Sequence, residues 1–256
     1  MKWWVNRLRP GEAGRPWLVW LHGLLGSGDD WAPVLPYFDA WPLAVLDLPG
    51  HGAFCSMPPE SFDSVSLGLT QTLASLGIEH YILIGYSLGG RIAFYHACRD
   101  RPAGLRGLFV EGAHPGLDNQ ADRDDRLRHD RAWAQRFAQQ PLWQVLDDWY
   151  RQPVFGDLSD PQRRELVALR GHNQGTAIAA MLDATSLARQ PDFLPSLQGL
   201  TLPFGYLCGE RDGKFSALAR QGALPCSLVP GAGHNAHRAE PAAFAAELLS
   251  LLAPLY

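Results

Sequence analysis

The chain has no run approaching the roughly 18 consecutive apolar residues that a membrane helix needs, which argues against a helical span. Its first ten residues contain no apolar stretch of the kind that drives secretion, so they do not read as a secretory signal. Cysteine is scarce. Cys55, Cys98, Cys208 and Cys226 form no C-x-x-C pair and no cluster with histidine, so neither a metal site nor a disulfide framework is expected. Free buried thiols in a reducing cytoplasm are the simpler account. An excess of positive charge is also missing. With 22 Lys and Arg against 26 Asp and Glu, the net charge of −4 gives no attraction for nucleic acid or an anionic membrane. No internal repeat and no low-complexity linker interrupts the chain. What is present is ordinary globular material: 256 residues, 46% hydrophobic and 19% charged, which suffice for one domain with an insertion around a large core. Nine tryptophans are many for this length and predict an aromatic-rich core or pocket.

Short apolar runs at 3–8, 17–22, 43–48, 81–86, 105–111, 203–208 and 226–229 read as strands. They alternate with helical patterns, so the fold class is α/β with a mostly parallel sheet flanked by helices. Between Pro115 and about Pro195 no strand-like run occurs. Amphipathic segments at 119–139, 141–150, 161–169 and 175–187 stand there instead, punctuated by Pro141, Pro153 and Pro161. This predicts a core of residues 1–114 and 196–256, with residues 115–195 inserted as a helical cap.

The most informative residues are Gly85-Tyr86-Ser87-Leu88-Gly89, set between the strand-like 81–84 and the helical 90–97. A G-x-S-x-G between strand and helix is the nucleophile elbow of the α/β-hydrolase fold. The turn is tight enough to need small neighbours, and it lifts the serine hydroxyl clear of the sheet. An acid and a histidine follow in the chain order that fold requires. Asp212 ends Leu207-Cys208-Gly209-Glu210-Arg211-Asp212, and His234 ends Gly231-Ala232-Gly233-His234. His234 would accept the Ser87 proton, and Asp212 would fix the imidazole tautomer and favour its cation. The plainer alternative makes Asp212 a turn residue and His234 a loop residue. Three loop positions agreeing in order and context favour the triad, with His234 within hydrogen-bond reach of both partners.

The strand at 17–22 ends in His22-Gly23-Leu24-Leu25-Gly26. In this fold that loop supplies one backbone N–H of an oxyanion hole, and the residue after the nucleophile supplies the other. Leu24 and Leu88 are the expected donors. His22, and His51 in Asp47-Leu48-Pro49-Gly50-His51-Gly52, are expected to be structural.

The cap's arginines admit two readings. Arg126 has Asp122 and Asp130 at helical spacing, so a solvated, salt-bridged face accounts for it. Arg170 closes a helix before Gly171 and could simply complement the helix dipole. Arg91 differs. It lies four residues after Ser87 on the elbow helix, a buried position, and calls for an acidic partner or an anionic ligand.

Beyond the general fold, several strings closely resemble the 2-succinyl-6-hydroxy-2,4-cyclohexadiene-1-carboxylate synthase (MenH) family of menaquinone biosynthesis, of the γ-proteobacterial type. They are Val110-Glu111-Gly112-Ala113-His114-Pro115-Gly116-Leu117, Asp148-Trp149-Tyr150-Arg151-Gln152-Pro153-Val154-Phe155, Gln162-Arg163-Arg164-Glu165-Leu166-Val167-Ala168-Leu169-Arg170, Cys208-Gly209-Glu210-Arg211-Asp212, and His234-Asn235-Ala236-His237-Arg238, together with the elbow and Arg91. The resemblance covers nearly the whole chain, the first ten residues and 54–76 matching least. It implies a cytoplasmic lyase that expels pyruvate from a small polycarboxylate, with Ser87, His234 and Asp212 as base and Leu24 and Leu88 as enolate donors. It implies substrate binding by Tyr86, Arg91, Arg126, Trp149, Arg170 and Lys214. No metal or organic cofactor and no obligatory protein partner is implied. For Trp149 a place in the cap core, and for Lys214 a solvated loop charge, remain open alternatives. A serine hydrolase of a small anionic ester, thioester or carbon–carbon bond would use the same triad, and a non-catalytic ligand receptor could retain it.

Overall fold

A computed structural model describes residues 3–52 and 59–255. Cys55 and the other residues at 53–58 lie outside that description. The chain runs β1 (Trp4–Arg9), β2 (Trp17–Leu21), β3 (Leu43–Asp47), α1 (Phe62–Ser75), β4 (Tyr81–Tyr86), α2 (Leu88–Tyr95) and β5 (Leu105–Glu111). It continues through α3 (Gln120–Gln139), α4 (Leu142–Trp149), α5 (Asp160–Arg170), α6 (Gly175–Ala184) and α7 (Leu194–Gln198), and ends with β6 (Phe204–Gly209), α8 (Gly213–Gln221), β7 (Cys226–Val229), α9 (Ala236–Ala239) and α10 (Pro241–Leu252).

The strands form one sheet in the order β1-β3-β2-β4-β5-β6-β7, parallel except for β1 against β3. Buried on both faces, β3 and β4 have no exposed residue, which is why they read as continuous apolar runs rather than alternating ones. One face carries Val19, Leu21, Leu46 and Leu83 against Leu69 of α1 and Ile92 and Phe94 of α2. The other carries Trp20, Val45, Ile84 and Phe109 against Trp31, Phe38, Phe244 and Leu248. Because β2, β4, β5 and β6 run parallel, the loops that follow them open at one end of the sheet, where such folds place their chemistry.

All seven expected strands are present, with boundaries within one residue of the sequence reading. The segment between β5 and β6 is helical, as its periodicity implied. Asn119 caps α3 by accepting from Asp122 N–H, and Ser159 caps α5 in a reciprocal capping box with Gln162. These helices pack around Phe137, Val145, Leu146, Tyr150, Leu166 and Ile178, a cluster that also takes in Leu25 from the loop after β2. At the far end of the segment, Phe193 and Leu197 join the core beneath the sheet.

Tryptophan is split between roles. Trp20 and Trp31 are fully buried with ring centroids 4.9 Å apart, whereas Trp4 and Trp143 are exposed. The expectation of buried thiols holds for Cys98 and Cys208 but not for Cys226, which is exposed because β7 is the last strand at the sheet edge. Among the described residues no helix is long and apolar enough to cross a membrane, and no cluster of His, Cys, Asp and Glu could hold a metal ion.

Candidate active site

Ser87 joins β4 to α2 with φ 48° and ψ −105°, a strained conformation for a residue bearing a side chain. The surrounding glycines explain how it fits. A Cβ on Gly89 would stand 2.3 Å from Leu21 O, and one on Gly85 2.6 Å from Gly89 O. The elbow is tied to the next strand by Ser87 N–H donating to Glu111 O at 2.8 Å.

Asp212 is positioned by a local device, since it is the N-cap of α8. One carboxylate oxygen accepts from Phe215 N–H at 3.2 Å and the other pairs with His234 Nδ1 at 2.7 Å. His234 stacks on Phe215 with centroids 4.7 Å apart and packs against Gly112, whose φ of 55° and missing Cβ make room for the ring. Its Nδ1 is occupied by Asp212, leaving Nε2 as the nitrogen available to Ser87. The expected Ser87–His234 hydrogen bond is not formed among the described residues: Ser87 Oγ has no partner.

Leu24 N–H and Leu88 N–H have no acceptor among the described residues. Leu88 is the first residue of α2, whose opening N–H groups find no partner within a helix. The Leu24 loop is held by two histidines. Leu48 N–H donates to His22 Nε2 at 3.0 Å, so the proton sits on Nδ1 and is donated to Gly23 O. Leu25 N–H donates to His51 Nε2 at 3.0 Å, and His51 Nδ1 donates to Pro49 O. Burial lowers the pKa of His22 to about 4 and that of His51 to about 3, so both are neutral structural pins, as expected.

Arg91 is 8% exposed. Its Nη2 donates to Thr185 O at 2.6 Å, while Nη1 is buried with no partner. Burial first, and then the neighbouring Arg126 guanidinium, lower its pKa to about 9, opposed by Asp130. It is charged at neutral pH yet incompletely paired.

Arg126 Nε bonds the buried Asp130 at 2.8 Å, and Asp130 also accepts from Ser186. The second expected partner, Asp122, is instead engaged by Asn119, and that capping arrangement explains the difference. Arg126, its side chain one-third exposed at 33%, lines an open cleft of about 440 Å³ with His114, Leu187 and Lys214, and with the acidic Asp122 and Asp125. Partial burial of the Lys214 ammonium and repulsion from Arg126 both lower the lysine's pKa.

Arg170 is not the exposed helix end that dipole complementarity would give. It is 6% exposed and lies 2.8 Å from Asp30, which also receives Arg238 at 3.0 Å. Burial alone would raise the Asp30 pKa, but Arg170 outweighs it and holds the carboxyl below its usual range. Arg170 Nε has no partner. The three arginines thus fall into two groups: Arg91 and Arg126 with Lys214, and Arg170 with Asp30 and Tyr150.

Tyr86 is buried, its ring 5.3 Å from that of His234. Burial raises its pKa well above the usual tyrosine value, so it is a neutral hydroxyl. Trp149 packs on Trp133 and Phe137 at 5.0 and 5.6 Å, in the core of the inserted helices.

Sequence reasoning gave no site role to Glu111. Its side chain, 1% exposed, accepts from Ala236 N–H at 2.6 Å and His237 N–H at 3.3 Å, and pairs with His237 Nδ1 at 2.7 Å. One residue thereby fixes the elbow through its carbonyl and the His234 loop through its carboxylate. A charged residue closing an apolar strand was the available signal.

A strained serine between parallel strand and helix, followed by an Asp–His pair on the loops after two later strands, defines the alpha/beta hydrolase family, and the sequence pattern of that family matches residues 18–247. The chain belongs to it. More particularly, the chain is 58% identical over 237 residues to the 2-succinyl-6-hydroxy-2,4-cyclohexadiene-1-carboxylate synthase of Yersinia pseudotuberculosis serotype O:3 (strain YPIII), covering 93% of this chain and 87% of that one. It is 57% identical, with the same coverage, to the synthase of Yersinia pestis (strain Pestoides F). Among solved structures it is similar to MenH from S. aureus, with TM-score 0.88 and 26% identity over 97% of both chains. An esterase from Thermogutta terrifontis, with malate bound, shares the fold at TM-score 0.78 and 21% identity, covering 97% of this chain and 93% of that one. Within the alpha/beta hydrolases, the chain groups with the 2-succinyl-6-hydroxy-2,4-cyclohexadiene-1-carboxylate synthases.

Proposed function

We propose that the protein is a lyase of menaquinone biosynthesis. It eliminates pyruvate from 2-succinyl-5-enolpyruvyl-6-hydroxy-3-cyclohexene-1-carboxylate and leaves 2-succinyl-6-hydroxy-2,4-cyclohexadiene-1-carboxylate. The observation that carries the substrate class is Arg91, a buried guanidinium with a free amino group on the nucleophile's own helix, beside Arg126 and Lys214. Such a cluster is costly without an anion, and the substrate brings three carboxylates.

In this reading Ser87, with His234 as proton acceptor and Asp212 holding its Nδ1–H, removes the ring proton next to the succinyl ketone. Charge develops on the ketone oxygen, where the Leu24 and Leu88 N–H groups stabilise it. The enolate collapses through the ring double bond and breaks the C–O bond to the enolpyruvyl group. The departing pyruvate enolate takes up the proton. Arg91, Arg126 and Lys214 bind carboxylates, and Arg170 contributes its spare Nε from the Asp30 network. Tyr86 lines the ring side of the pocket, and Trp149 shapes it from the core of the inserted helices. Residues 115–195 act as a cap that excludes water, which strengthens each of these interactions. The Ser87–His234 contact forms when substrate binds.

Purified protein given the succinyl-enolpyruvyl-cyclohexene acid is expected to release pyruvate and gain diene absorbance in equal amounts. Ser87→Ala, Asp212→Asn and His234→Ala are each expected to lose orders of magnitude in turnover, and non-additively when combined. Diene formation at the wild-type rate by Ser87→Ala would remove serine from the mechanism.

A further inference from the structure

His114 stands in the loop after β5, outside the machinery described so far. Its backbone is anchored, because Gln190, itself fully buried, donates through Nε2 to His114 O at 2.9 Å. Its ring is anchored as well: Gly116 N–H donates to Nδ1 at 3.2 Å. An amide N–H can only give a proton, so Nδ1 is the acceptor and the neutral ring carries its hydrogen on Nε2. Burial, and then the charges of Lys214, Arg91 and Arg126, push the His114 pKa down to about 3, so the ring stays neutral near pH 7. This imidazole lines the same cleft as Arg126 and Lys214.

The combination has a chemical use. A tricarboxylate carrying a ketone and a hydroxyl offers neutral acceptor atoms as well as charged ones, and a neutral acceptor needs no cation. A fourth cation would add repulsion to a site where Arg91 and Lys214 are already disfavoured by Arg126. A neutral N–H of fixed tautomer adds a donor without that repulsion.

We propose that His114 is a specificity-determining residue that donates its Nε2–H to an oxygen of the bound polycarboxylate, alongside Arg126 and Lys214. The inference rests on the lyase reading given above and adds a contact to that site.

The two ring nitrogens allow a sharp test. Glutamine places an amide N–H near the position of Nε2, whereas asparagine reproduces the acceptor at Nδ1 and so keeps the Gly116 bond. His114→Gln is expected to hold KM within about threefold of wild type. His114→Asn is expected to raise KM by roughly 10- to 100-fold with kcat little changed, the size of one lost hydrogen bond to a charged acceptor. His114→Phe, which keeps a ring but no donor, should behave like asparagine and serves if the asparagine variant does not fold; thermal melts report on folding. A purely loop-stabilising histidine gives the opposite order, with asparagine tolerated and glutamine impaired, and that order would overturn the proposal. So would an unchanged KM in both the asparagine and phenylalanine variants. Wild-type protein that releases no pyruvate would instead remove the lyase reading, and this inference with it.

Discussion

Arg91 and Arg170 are both buried, but they should fail differently when truncated. Arg91 has a backbone carbonyl and an unpaired amino group, so on the proposed reading its charge is held chiefly for a ligand. Arg91→Ala is expected to lower kcat/KM by about 30- to several-thousand-fold, with folding stability unchanged or slightly raised. Lysine should rescue poorly, since it keeps the charge and loses the fork. Arg170 neutralises Asp30 at 2.8 Å in a buried network, so Arg170→Ala leaves a buried carboxylate to Arg238 and the Ser27 N–H. That variant should lose activity and also about 3 kcal/mol of stability, the usual cost of orphaning one partner of a buried pair. Denaturant titrations of the two variants beside their kinetics make the comparison. Equal stability losses would show that Arg91 is a structural cation like Arg170, and near-normal efficiency in Arg91→Ala would set aside the anionic substrate.

At the scale of elements, the loops after β2, β3 and β5 hold the site by two devices, a glycine and a pair of histidines. Gly112, in the loop after β5, gives the His234 imidazole its place: an added Cβ would lie 2.8 Å from His234 Cε1 and 3.0 Å from Nδ1. Gly112→Ala should push the ring off Asp212 and lower kcat by about tenfold or more, with KM nearly kept, because the cations stay in place. An unchanged kcat would mean that the ring has a second productive position. The loops after β2 and β3 depend on two neutral histidines, and this sets the acid limit of stability. Both folded-state pKa values, about 4 for His22 and about 3 for His51, lie below the ordinary 6.5. Above about pH 6.5 both states leave the rings unprotonated and the full stability is present. As pH falls below that value the unfolded chain binds protons that the folded one refuses, so stability is lost towards pH 4 and 3. Each group contributes a slope of up to about 1.4 kcal/mol per pH unit, or roughly 3 kcal/mol in total for His22. Denaturant unfolding between pH 7.5 and 4.5 should show this decline, and a flat profile would place protonated, tolerated histidines in these loops.

For the whole molecule, the distinction that matters is between a hydrolase and a lyase built on hydrolase machinery. The fold is shared with an esterase, so the scaffold does not decide the reaction. Elimination requires that a proton leave carbon and that no water enter either product. In water enriched in heavy oxygen, neither pyruvate nor the cyclohexadiene is expected to acquire label from the chemical step, once exchange of the free pyruvate carbonyl is subtracted. Deuterium at the abstracted ring position should slow turnover where that step limits the rate. Trapping of a Ser87 ester with the natural substrate, broken down at the turnover rate, would move the assignment to acyl transfer.

The sequence by itself determined the sheet, the elbow and the order of Ser87, Asp212 and His234, because each rests on local chemistry. Apolar runs of strand length can be buried only in a two-sided sheet, a strand-to-helix turn as tight as the one at Ser87 needs Gly85 and Gly89, and Asp212 begins a helix that it caps with its own side chain. The periodicity of the 115–195 segment was likewise enough to show helices. Only the tertiary structure decided how the charges are shared. Asp122 and Asp130 stand equally spaced about Arg126, yet capping takes one and burial gives the other to the arginine. Asp30 is 140 residues from Arg170, so nothing in the neighbourhood of that arginine reveals that it is buried and paired. Glu111 and His114 show the same limit. Their importance lies in which N–H groups of distant or turning backbone meet them, and pairing of that kind is set by how strands and loops converge at the open end of the sheet.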